Sequence, residues 1–134
     1  MAISDFLLEN VQRDETKEVT LERFKSPFVI RSIDESLNDT LKKRATIKKK
    51  NRQGMTIPEF NNERYIDSLM VACVVTPDLK DAQLQESYHT VGDEAATLKA
   101  MLKIGEYNRL MQAIQSLNGF DEDINDLVEE AKND

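Results

Sequence analysis

One histidine, one cysteine, a triplet of acids and a run of lysines are the residues whose chemistry has to be weighed first. His89 has no second histidine to work with, and it falls near the end of an expected helix, where a polar residue at a helix terminus is the ordinary reading. Cys73 sits in helical register with Leu69 and Met70, which makes it a small core hydrophobe rather than a nucleophile. Asp121, Glu122 and Asp123 look like half a calcium loop, but the glycine and the distant bidentate glutamate of that loop are missing. No glycine-rich phosphate loop, HExxH helix or GxSxG elbow occurs. Without a nucleophile–base pair or a metal cluster, the chain reads as a non-enzyme with no cofactor.

The basic patch is the one local feature that invites a binding role. Lys42, Lys43, Arg44, Lys48, Lys49, Lys50 and Arg52 place seven positive charges in eleven residues with no acid among them. Such a run neutralises phosphates or meets an acidic protein surface. Here no aromatic residue is interleaved to stack on bases, and the whole chain carries a formal charge of −7. Nucleic acid is therefore the disfavoured partner. A solvated loop and a contact with acidic protein, such as another copy's tail, are the other readings. That tail, Asp121 to Asp134, holds seven acids against one lysine. Self-association through basic loop and acidic tail would weaken as salt rises.

The remaining composition is that of a soluble domain: 40% hydrophobic and 32% charged in 134 residues. A chain of this length buries about two-thirds of its unfolded surface without staples. No stretch approaches the ~20 apolar residues of a membrane helix, and no signal-like N-terminus is seen. One cysteine excludes an internal disulfide and fits a reducing compartment. The expectation is a single cytoplasmic domain, 1–134, with no membrane partner.

The elements follow from apolar spacing and caps. Tyr65, Ile66, Leu69, Met70, Cys73 and Val74 trace one helix stripe, opened by Asn61 or Asn62 and stopped by Thr76 before Pro77. Asp78 or Asp81 opens a second helix carrying Leu84 and Tyr88, ended by Thr90-Val91-Gly92. Asp93 caps a third with Leu98, Met101 and Leu102 on one face, followed by a tight connection at Lys103-Ile104-Gly105. Tyr107, Leu110, Met111, Ile114 and Leu117 then form the cleanest amphipathic helix, with Gly119 as its left-handed cap.

Upstream, residues 1–17 read as a polar arm with one apolar patch, Phe6-Leu7-Leu8, and 18–33 as a small hairpin turning at Lys25-Ser26-Pro27. Ser32 or Asp34 caps a helix carrying Leu37, Leu41 and Ala45. The lysines and Arg44 fall at that helix's C-terminal end; within the basic loop 42–54, Lys48 to Gly54 reads as mobile, Met55-Thr56-Ile57 reads as a brief extended piece, and 120–134 as an acidic tail. The predicted fold class is mainly α (α+β): a multi-helix body, 34–119, with one N-terminal hairpin and charged flexible arms. Partner contact is expected from apolar patches poorly placed to bury themselves, Phe6, Leu7 and Leu8 at one end and Phe120, Ile124, Leu127 and Val128 at the other.

The wording of the sequence reaches further than its periodicity. FLLEN near the start, VTLERF, VVTPDLKDAQLQESY at the central corner and LKIGEYNRLMQAIQSLNGFDEDINDLVEEAKN at the end resemble the XkdN-like tail assembly chaperones of PBSX-type prophages and long-tailed phages of Gram-positive bacteria. The most specific segments are Pro77 to Gln85 and Gly105 to Lys132, and Leu41 to Met55 is the least distinctive. The resemblance implies a protein that binds the tape measure protein in the host cytoplasm, keeps it soluble, helps recruit tail tube subunits and is absent from the finished virion. It implies no catalytic residue and gives the basic loop no role. A nucleic-acid adaptor using the basic loop and a structural tail component are the competing classes.

Overall fold

Twelve residues without a glycine or proline, Asn62–Cys73, form helix α2, the hub of the molecule. The computed structural model describes residues 2–11 and 15–120. Asn61 caps α2 by accepting from the Arg64 N–H at 3.1 Å. The expected stripe faces inward: Tyr65, Leu69, Met70 and Cys73 are buried. Around α2 pack α1 (Glu35–Arg44), α4 (Glu94–Met101) and α5 (Ile104–Leu117), while α3 (Ala82–Ser87) rests on α4. Asp34, Asp81 and Asp93 cap α1, α3 and α4 through their carboxylates, as the sequence leads one to expect. Gly119 follows α5 with φ of 84°, the left-handed geometry that glycine adopts without penalty.

The expectation of a mainly helical protein with one hairpin is overturned. The described residues hold five strands in two antiparallel sheets, an α+β fold. The first sheet has order β1 (Thr16–Val19), β2 (Phe28–Arg31), β5 (Val74–Thr76). Val19 opposes Phe28, and Ile30 opposes Val74. Helix α2 thus stops at Cys73, three residues before the expected end. Val74, Val75 and Thr76 are β-branched, and pairing with β2 outcompetes one more helical turn. The hairpin at 18–33 exists, but its first strand is shorter and begins earlier than expected, at Thr16, while the second starts at Phe28 as expected. Leu21 to Ser26 is a broad connection held by Phe24, whose ring meets Phe28 edge-on at 5.1 Å between centroids.

The second sheet replaces the loop expected at Lys48 to Gly54, while the basic end expected for the preceding helix is found. Lys42, Lys43 and Arg44 end α1, while β3 (Thr46–Lys50) pairs with β4 (Thr56–Phe60). Asn51 organises the turn between them, its side-chain oxygen accepting from the N–H groups of Gln53 and Met55 at 3.0 and 2.9 Å. Gly54 supplies the positive φ the turn requires, 77°. At the base of the hairpin the Asn61 N–H donates to the Ala45 carbonyl at 2.9 Å.

The core lies where the first sheet meets α2, α4 and α5. Leu21, Phe28, Ile30, Leu69, Met70, Leu98, Leu110 and Ile114 are almost wholly inaccessible. The polar groups drawn inside find partners. The buried Tyr65 hydroxyl donates to the Asn38 carboxamide oxygen. Gln85 donates to the Leu79 carbonyl and accepts from the Gly92 N–H. Asn118 accepts from the Ile33 N–H and donates to the Ile114 carbonyl, both at 2.8 Å, tying the end of α5 to the β2–α1 junction.

Candidate functional site

The face of α2 turned away from the core stripe is the floor of an open groove of about 880 Å³. Arg64, Ser68, Val71 and Ala72 recur at steps of four, three and one, so they share this face for about 12 Å of helix. One wall is α1, through Leu37, Leu41 and Arg44. The other is the corner after α2, through Val75 and Leu79, with the first turn of α4 beyond. Leu41 and Leu79 are buried in the core, Leu37 and Val71 are half-buried, and Val75 is 45% exposed. The result is a mixed groove in which a short apolar strip of Leu37, Val71, Ala72 and Val75 lies among charged side chains of both signs: Arg31, Arg44, Arg64 and Lys80, and Asp67, Asp78, Asp93 and Glu94. Arg31 is held there by donating through Nε to the Ala72 carbonyl at the end of α2, at 2.9 Å. Lys99 holds Asp67 from the α4 side at 2.8 Å.

A short apolar strip among charged side chains is suited to hold the apolar stripe of a helix or an extended peptide. Cys73 lies beneath it, fully buried, and burial pushes its thiol up to about 11 against the opposing effects of Asn118 and Arg31, so it remains a protonated thiol at neutral pH. His89 is exposed in the connection after α3, at φ of 57°. Among the described residues no cluster of three His, Cys, Asp or Glu side chains is placed to hold a metal, and no helix is long and apolar enough to cross a membrane.

The patches singled out from the sequence lie elsewhere. Phe6, Leu7 and Leu8 are exposed on two short 3₁₀ turns, Ile3–Phe6 and Leu8–Asn10, which bury none of their residues. Phe120 packs half-buried against the core, while Ile124, Leu127 and Val128 lie outside the described residues. The basic residues split between the last turn of α1 and the second hairpin, all of them exposed. The groove was not foreseen. Its signal was present in Arg64, Ser68, Val71 and Val75, which repeat at helical spacing opposite the core stripe. A single valine per turn among polar residues does not announce a site.

Comparison with known proteins agrees with this architecture. A crystal structure of the protein YqbN superposes with a TM-score of 0.72 at 24% identity, covering 89% of this chain and 97% of that one, which shows a shared fold. The phage-like element PBSX protein XkdN of Bacillus subtilis strain 168 is 30% identical over 108 residues, 80% of this chain and 72% of XkdN. The uncharacterized protein YqbN of the same strain is 32% identical over the same shares. Residues 3–132 match the family described as phage XkdN-like tail assembly chaperone protein, so the chain belongs to that family of phage tail assembly chaperones.

Proposed function

We propose that the protein is a tail assembly chaperone whose client is the tape measure protein, acting in the host cytoplasm and leaving before the particle is complete. It holds apolar helical segments of the client, keeps them from aggregating and presents them to tail tube subunits. The observation that carries this reading is the groove along α2, a short apolar strip among charged side chains, in a member of a chaperone family. Helix-in-groove recognition needs an apolar strip of this kind and depends little on the client's exact sequence. Phe6, Leu7 and Leu8 supply a second contact, since an exposed apolar patch on an arm is a docking element.

Co-expression with the tape measure protein of the same genome, followed by size exclusion with light scattering, tests the proposal. The expected result is a soluble complex where the tape measure protein alone aggregates. Paired substitutions Val71→Asp and Val75→Asp put charge on the floor and one wall of the groove and are expected to weaken the complex at least about tenfold, the effect of removing a central apolar anchor. A tape measure protein that precipitates regardless, with this chain eluting alone, overturns the reading.

A further inference from the structure

The second hairpin is an anomaly for a small domain. A two-stranded sheet standing alone is marginal in water, and this one leaves every residue of β4 and all but Ile47 of β3 exposed. Its register sorts the side chains into two unlike faces. Ile47, Lys49, Ile57 and Glu59 share one, where Lys49 and Glu59 pair at 3.2 Å. The other carries Lys48 and Lys50 beside Pro58 and Phe60, the last leaning on Tyr65 at 5.8 Å between ring centroids. This second face is basic and apolar at once. The complementary composition occurs in residues 121–134, where seven acids flank Ile124, Leu127 and Val128.

Reach permits the two to meet within one molecule. The chain leaves the described body at Phe120, and Asn118 lies 3.7 Å from the Cys73 sulfur at the far end of α2. The hairpin starts at the other end of α2. Twelve helical residues span about 18 Å, and each strand of five residues adds about 17 Å. Fourteen extended residues cover about 46–50 Å, enough to reach even the hairpin tip.

We propose that residues 121–134 dock in cis on the Lys48–Lys50–Phe60 face of the β3–β4 hairpin, acids against lysines and the apolar residues against Pro58 and Phe60. The contact covers the sheet that the fold leaves bare among the described residues. It also places acidic charge beside a two-stranded sheet whose outer edges are both open, which disfavours pairing with other chains. It is independent of which client the groove takes.

Amide hydrogen exchange on the full chain tests this against a chain ending at Phe120 and a full chain carrying Lys48→Gln with Lys50→Gln. In the full chain, amides of 46–60 are expected to exchange about five- to tenfold more slowly than in either variant, the summed effect of several weak exposed pairs. High salt should erase the difference. Adding the lysine substitutions to the shortened chain should change nothing further, as a shared interaction requires. Unaltered exchange in α2 and α5 certifies the fold, and if the shortened chain fails that control the lysine variant decides. Hairpin exchange that ignores both changes overturns the proposal. Protection that grows with protein concentration also overturns it, because the tail would then belong to a second copy.

Discussion

Glu106 shows how one side chain joins distant parts of this chain. Its carboxylate accepts from the Arg23 guanidinium Nε at 2.8 Å and from the Lys103 backbone N–H at 2.8 Å, so it caps α5 and clamps the β1–β2 connection at once. Arg23 also donates to the Met101 carbonyl at 2.9 Å, closing the turn between α4 and α5. The Arg23 hydrogen bonds, reinforced by the Lys103 N–H, hold the Glu106 carboxyl down at about 2, against an ordinary 4.5. A depressed carboxyl stabilises the fold fully above its unfolded value. Between about 4.5 and 2 the unfolded chain takes up the proton first, so this contribution drains away as pH falls. Denaturation midpoints of the native protein should therefore drop through that window. Glu106→Gln should be less stable at neutral pH and should lose this part of the acid sensitivity. An equal slope in both proteins would mean that the clamp does not form in solution.

At the scale of elements, the sequence was legible wherever burial imposes a period and opaque where it does not. The stripes of α2 and α5, and the aspartates that cap α1, α3 and α4, were readable because a helix buries one face and needs an acceptor at its start. Of the β3–β4 hairpin only the start of β4 was readable, as the extended Met55-Thr56-Ile57, because both of its faces are exposed and lysines mask any alternation in β3. Strand β5 was hidden for another reason. Three residues after a helix carry no period, and what makes them a strand is the distant edge of β2. Away from the candidate site the arm patch and the basic charges were visible as composition, whereas the groove itself arises only when α1 and the corner after α2 converge. The same division predicts stability. Ile114 is wholly buried in α5, and Ile114→Ala should cost about 2–5 kcal/mol through lost burial and the cavity left behind. Ile57 on the bare hairpin is 42% exposed, and Ile57→Ala should stay within about 0.5 kcal/mol. Urea unfolding of the two variants checks the contrast, and a large loss at Ile57 would show that the hairpin is part of the cooperative core.

For the molecule as a whole, charge is divided in a way that bears on how a chaperone stays in solution. With seven acids and one lysine in 121–134, the other 120 residues hold 17 basic and 18 acidic side chains and are almost neutral. Nearly all of the net charge of −7 therefore resides in the last fourteen residues. A near-neutral body with an exposed basic hairpin and an apolar arm attracts its own copies, since net charge close to zero promotes association. The tail supplies the repulsion that opposes this, whether or not it also covers the hairpin. A chain ending at Phe120 should accordingly stay folded, focus well above the full-length isoelectric point of 4.8, and associate at neutral pH and low salt. Because the attraction in that chain is between opposite charges, added salt should disperse it. Full-length protein should scatter light as a single species under the same conditions and begin to associate only as pH approaches 4.8. Static light scattering of both proteins across pH and salt reads this directly. A shortened chain that remains monomeric at neutral pH and low salt would show that the body needs no tail for its solubility.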